Sequence, residues 1–313
     1  MRRTAILRLT LSTKTLYIIG NGFDLHHGVG SRYADFGKYL EKADPETYDA
    51  VDQYFYIDDS FWNEFEARLA HFDAATAIED ASDFLMPYGA EDWSDAGHHD
   101  YEYELDRIIR KISSTMRSRF ADWVRQLQIP PLTQSGVAPL PIDRSGVFLN
   151  FNYTDTLTSV YGVAPARVLH LHGQARDATS QIVLGHGWRR TEADSLNHRA
   201  DPEAMDTRVW QGNFIVDDYF AKTFKPTEKI IQANQAFFSA LKSVETVLVM
   251  GHSLGEVDWP YLQLVWKNVS PAAQWKFSYY GNPQHTQDAA ARMGIEKSRV
   301  AFHTLADADA WVP

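Results

Sequence analysis

Seven short apolar runs punctuate this chain: Leu16–Ile19, Val147–Phe151, Val168–Leu171, Gln181–Leu184, Thr246–Met250, Trp275–Tyr280 and Val300–Leu305. Each is too short for a buried helix, and several are rich in β-branched residues, so each reads as a strand buried on both faces. Helical patterns separate many of them, as over Asp258–Lys267 and Gln284–Met293. Strands alternating with helices predict an α/β fold: a mostly parallel, Rossmann-like sheet with helices on both faces. In such a sheet the carboxyl ends of all strands share one edge, and ligands bind in the crevice there. Polar motifs follow the strands at that edge: Gly20-Asn21-Gly22, Asn152-Tyr153-Thr154-Asp155, His172-Gly173 and Gly251-His252-Ser253.

The first of these lies within the stretch KTLYIIGNGFDLHHGVGSRY, residues 14–33, where the strand Leu16–Ile19 runs into it. Closely spaced glycines let a backbone turn sharply and let another group approach it. The spacing departs from G-x-G-x-x-G, because Leu25 holds the place of the third glycine. The turn therefore reads either as a phosphate-binding loop at a helix start or as a plain tight turn.

Between this strand and Val147 lies a helical stretch. Residues 31–40 predict a short helix that Asp44-Pro45 ends, and Phe61, Trp62, Phe65, Leu69 and Phe72 predict another from Asp59. Leu105 to Leu127 predicts one long amphipathic helix, after an acidic loop over residues 86–100. The domain boundaries follow: residues 1–40 begin the α/β domain, 41–141 form a large helical insertion, and 142–313 complete the α/β domain. Residues 188–226 read as polar and irregular, a candidate lid, and Lys229–Lys242 as a helix.

Charge is unevenly spread over the 313 residues. From Glu41 to Asp106 there are 20 Asp+Glu against 2 Lys+Arg, whereas the rest carries 21 acidic and 28 basic residues. The acidic insertion is a solvated helical face, or a surface that repels nucleic acid or docks a basic partner. The chain has no cysteine, which excludes disulfides, thiolate metal sites and cysteine nucleophiles and fits a reducing cytoplasm. The opening residues MRRTAILRLTLSTK lack the apolar core of a signal peptide or membrane span, and read as a leader or an extra strand.

Two further constellations carry chemistry. His170 and His172 share a strand face; with His186 or Asp24 they would form a metal set, but no clear carboxylate partner accompanies them, so no metal is expected. Gly251-His252-Ser253-Leu254-Gly255 fits the nucleophile elbow G-x-S-x-G, with Asp288 and His303 following in hydrolase order. Against that stand its late position and Glu256 and Asp258 at the helix start, where an oxyanion needs positive potential.

The strings LYIIGNGFDLHHGVGSRYADF, NFNYTD, LHLHG and GHSLGEVD resemble the abortive-infection AbiH family of bacterial anti-phage proteins. Their order is also similar to that of the sirtuin-like NAD-binding fold. The resemblance covers both ends of the chain, with Asp24 in place of the usual serine, Gly30 in place of a proline, and Thr154 where an aspartate often follows Asn-Tyr. It implies NAD as substrate or ligand. It places Asn152 and His172 as catalytic residues, with Asp24 steadying the ribose or the developing charge. It puts Gly20, Asn21, Gly22, Phe23 and Gly28 against the dinucleotide, and Gly251, Ser253 and Asp258 at its adenosine side. With no four-cysteine zinc module, NAD cleavage is the implied activity rather than protein deacetylation. The alternatives are a non-catalytic nucleotide sensor and the GHSLG hydrolase. The partners expected are NAD or a related nucleotide, a second copy of the chain and a phage-derived or protein trigger, with no membrane and no nucleic acid on the acidic insertion.

Overall fold

The structure is a computed structural model that describes residues 13–89, 97–198, 200–201 and 203–313. Residues 1–12 of the expected leader (1–14) and 90–96 of the expected acidic loop lie outside the described residues. The chain forms two compact units. One is built from the chain up to Arg32, Val124–Val183 and Pro226–Pro313; the other from Tyr33–Trp123 and Leu184–Lys225.

The first unit is a Rossmann-like α/β fold. Six strands, β1 (Thr15–Ile19), β2 (Val147–Asn150), β3 (Val168–His170), β4 (Thr246–Met250), β5 (Gln274–Ser278) and β6 (Val300–His303), form one sheet in the order β3-β2-β1-β4-β5-β6. Every pairing is parallel. The order reverses between β1 and β4, which makes that junction the topological switch point. Side-chain alternation explains why both faces must be covered. Leu16 and Ile18 face one core with Val247, Val249 and the helix Trp259–Asn268. Tyr17 and Ile19 face another with Phe148, Leu248, Met250, Leu157 and Trp311. All five β1 residues are buried, as a central parallel strand requires.

Four readings of local structure are corrected. Residues 181–184 form no strand. There Tyr153 Oη donates to the Val183 carbonyl (2.9 Å) and Val183 N–H donates to the His172 carbonyl (2.9 Å), so the segment is a strap on the β2 and β3 loops. The helix expected from Asp59 is mostly turn, with a short helix at Phe65–Arg68 and a 3₁₀ turn at Leu69–His71. Asp58 explains this: it accepts from the amide (2.9 Å) and hydroxyl (2.8 Å) of Ser60, a local bond that competes with helix. The polar stretch 188–226 contains a 17-residue helix, Thr207–Thr223, capped by Asp206, which accepts from Arg208 N–H at 2.8 Å. The helix expected over Lys229–Lys242 divides into Thr227–Ala233, Gln235–Ser239 and a 3₁₀ turn, broken where the Asn234 amide donates to the Ile230 carbonyl (2.8 Å).

The second unit is helical. Its core is aromatic, with Phe36, Phe61, Phe65, Phe72, Phe120 and Tyr219 all buried. The long helix expected over 105–127 spans Asp100–Gln126 with a π-helical turn at Lys111–Thr115. Ser113 Oγ donates to the Ile109 carbonyl (2.5 Å) and Ser114 Oγ to that of Arg110 (3.2 Å), hydroxyls that load the carbonyls where the ladder widens. Among the described residues no helix is long and apolar enough to cross a membrane.

Candidate functional site

Register places the site. Ile19 pairs with Asn150 and with Met250, and Asn150 pairs with His170, so these four residues lie on one rung of the sheet. Two residues further along each strand stand Asn21, Asn152, His172 and His252. The ends of four parallel strands thus bring Asn21, Asn152, His172 and His252 to the carboxyl edge, on both sides of the switch point.

The glycines serve a backbone seam. Gly20 N–H donates to the Met250 carbonyl (3.0 Å) and Gly22 N–H to that of Gly251 (2.7 Å). A Cβ on Gly20 would lie 2.5 Å from His252 Cα, and one on Gly22 2.8 Å from Gly251 Cα. Gly251 has φ +68°, and its Cβ would meet Phe23 N at 2.0 Å. The close approach that these glycines allow is between the β1 and β4 loops. The Gly251 amide in turn donates to Ser278 Oγ (2.6 Å), so the end of β5 joins the same knot.

Asp24 lies beneath this seam, on the short helix Asn21–His26, only 1% exposed. Its carboxylate accepts from the hydroxyls of Thr154 (2.5 Å) and Thr156 (2.7 Å) in the β2 loop. Burial pushes its pKa up to about 6, against the pull of Thr154, Thr156 and Asn152. Asn152 is buried too; its side-chain amide donates to the Gly20 carbonyl (3.0 Å) and its backbone N–H to Asn150 Oδ1 (3.0 Å). Asn152 and Asp24 therefore tie the β1 and β2 loops to each other.

His172 is buried against Phe151, whose ring meets it edge-on at 5.4 Å. Its Nε2 stands 3.5 Å from Asp258 Oδ1. On the other side of that carboxylate, His252 Nε2 stands 3.7 Å from Oδ2. An imidazole beside a carboxylate can accept a proton and have the resulting charge balanced.

The other expected site residues fall as follows. Asn21 is exposed: its amide donates to the Ser31 carbonyl (2.9 Å), and Ser31 Oγ donates to Asn21 Oδ1 (2.5 Å). Phe23 has its side chain buried in the sheet's second core beside His27 and Tyr161. Gly28 has φ +77° and lies near Pro130. Ser253 is exposed, but the positive φ angles of this loop fall on Gly251 (+68°) and Leu254 (+58°), and a 3₁₀ turn at Glu256–Asp258 precedes the helix, which starts only at Trp259. A nucleophile elbow needs the strained turn at the serine itself, so GHSLG does not form one here. His170 turns Nδ1 to the Asn152 carbonyl (3.2 Å), and among the described residues no three groups gather as metal ligands. A cleft of about 480 Å³ opens beside Thr154 and Asp155, walled by Pro130, Pro131 and Arg176, and neither Asn152 nor His172 lines it.

Sequence reading missed His252 as a partner of Asp258 and the two threonines that hold Asp24. Counting two residues past each apolar run would have found His252; nothing local marks Thr156, whose role exists only through the β1–β2 pairing. The family model for bacteriophage abortive infection AbiH matches residues 16–279. No curated protein matches the chain.

Proposed function

This chain belongs to the bacteriophage abortive infection AbiH family, and from that premise we propose that it is a cytoplasmic anti-phage effector that binds NAD and hydrolyses the nicotinamide–ribose bond. One observation supports the reading above the rest: His172, buried at the carboxyl edge of the sheet, faces the Asp258 carboxylate at 3.5 Å. The bond breaks with its electron pair passing to the ring nitrogen, which neutralises the pyridinium and leaves an oxocarbenium-like ribose. Water attacks that carbon and gives its proton to His172, and Asp258 balances the imidazolium. Asn152 has its side-chain amide engaged by Gly20, leaving Oδ1 to accept from a ribose hydroxyl or from the water. Ionised Asp24 adds negative potential near the developing cation.

The pyrophosphate takes a different place from the one the glycines suggest. The amides of Gly20 and Gly22 are committed to Met250 and Gly251, so the phosphates lie above the seam, near Asn21 and Ser253, which are exposed. That commitment also supports a second reading, a nucleotide sensor that uses the same edge without chemistry. A phage-derived or protein trigger and self-assembly belong to either reading.

The deciding experiment is nicotinamide release from NAD by the purified chain, beside His172→Ala and Asn152→Ala. Release by the wild type that both substitutions abolish is the expected result. Release that survives both removes the catalytic assignment, and NAD binding without release favours the sensor.

A further inference from the structure

The carboxylate that faces His172 faces a second histidine, and the two histidines are not equivalent. His252 Nδ1 accepts a hydrogen bond from the Leu254 backbone N–H at 2.9 Å. An accepting ring nitrogen carries no proton, so the hydrogen of neutral His252 is on Nε2, the atom turned to Asp258 Oδ2 at 3.7 Å. Protonating His252 would require a hydrogen on Nδ1, where it would confront the Leu254 N–H. That N–H is held in place by an unusual backbone: Leu254 is one of two non-glycine residues with positive φ among the described residues, at +58°. Leu254 is itself buried, and His252 is backed by the Phe151 ring at 4.3 Å. Strain of this kind persists where surroundings over-determine it, and here it fixes one nitrogen of one imidazole.

We infer that His252 is a positioning residue locked as the neutral Nε2–H tautomer, which orients the Asp258 carboxylate and leaves His172 as the histidine of the pair that changes protonation. This deepens, and rests on, the reading of His172 as proton acceptor. Tyr153 and Tyr261 also face the pair, with rings 6.3 and 6.0 Å from that of His172. Asp258 is the carboxylate that both imidazoles face, one on each oxygen. A lone imidazole on a carboxylate swings; one whose carboxylate is pinned from behind keeps its orientation when it takes the proton.

The test is ring-nitrogen NMR of the whole chain with labelled histidine, in the absence of NAD. His252 is expected to show the Nε2–H tautomer and no titration across roughly pH 5–8, while His172 titrates alone. His252→Ala is expected to move the His172 midpoint by about half a unit or more. His252→Gln, whose carbonyl accepts from Leu254 and whose amide donates to Asp258, should leave it in place. An Nδ1–H tautomer, two histidines titrating together, or a His172 midpoint indifferent to His252→Ala each overturn the inference. Nicotinamide release is read separately. If release is absent but the tautomer and midpoints are as stated, the NAD reading falls and the pinned carboxylate stands.

Discussion

Replacing Asp24 by Asn should make the protein more stable at neutral pH and not at acid pH. The carboxyl titrates normally near 3.8 and at about 6 when folded, chiefly because it is buried. Each unit is worth about 1.36 kcal/mol, so holding the ionised form costs the folded state ~3 kcal/mol once pH exceeds both values. The native state keeps its proton where the unfolded chain has lost it, so stability falls as pH rises from near 4 through about 6. Roughly 2 kcal/mol of that loss falls between roughly pH 4.5 and roughly pH 8. Asparagine removes the charge but keeps the shape. Its carbonyl accepts from one of Thr154 and Thr156, and its amide must find the other hydroxyl turned round, a rearrangement costing about 1 kcal/mol at every pH. The measurement is the urea midpoint and slope of wild type and Asp24→Asn at both ends of that range. The variant should gain ~2 kcal/mol on the wild type between the two. A gap that stays constant with pH would refute the argument, because it would mean that the threonine hydroxyls fully offset the cost of burial.

Gly251→Ala should cost at least about 3 kcal/mol, since its Cβ would strike Phe23 N and its φ is positive, and lower the melting temperature accordingly in a thermal scan. Tyr161→Phe removes the hydroxyl that bonds His27 Nε2 (2.7 Å) and accepts from Leu140 N–H (3.2 Å). Denaturant unfolding should show a loss of about 2 kcal/mol, because both partners are left buried and unpaired. Asp258→Asn should reduce nicotinamide release by roughly 10²-fold or more while NAD affinity, read by calorimetry, stays within a few-fold, if the carboxylate serves the proton transfer and not the ligand.

The sheet was legible because buried parallel strands announce themselves as unbroken apolar runs, and six of the seven runs are strands. The seventh, Gln181–Leu184, has the same composition but no neighbour to pair with; its carbonyl and amide go to Tyr153 and His172. Composition cannot distinguish a strand from an extended strap. The helix Thr207–Thr223 was hidden for the opposite reason: its buried side includes Arg208, Gly212 and Asn213, so the apolar stripe is diluted. The site was half legible. Asn152 and His172 could be found at strand ends, whereas the meaning of Gly20 and Gly22 depends on Gly251, more than two hundred residues away along the chain. A glycine reports that something comes close, and only the fold says what.

That seam also orders the events of folding. β1 is made first, yet it is the centre of the sheet, flanked by β2 and β4. Its partners in the sheet are synthesised later, from Val147 on one side and Thr246 on the other. Loop closure over such distances is slow, and an apolar strand left waiting is open to foreign partners. The Gly22–Gly251 contact cannot form before both loops exist, so the edge that carries His172, Asp258 and His252 is completed only after β4 docks. A nascent or truncated chain ending before β4 therefore lacks the assembled edge, so whatever chemistry that edge carries waits on the order of the strands.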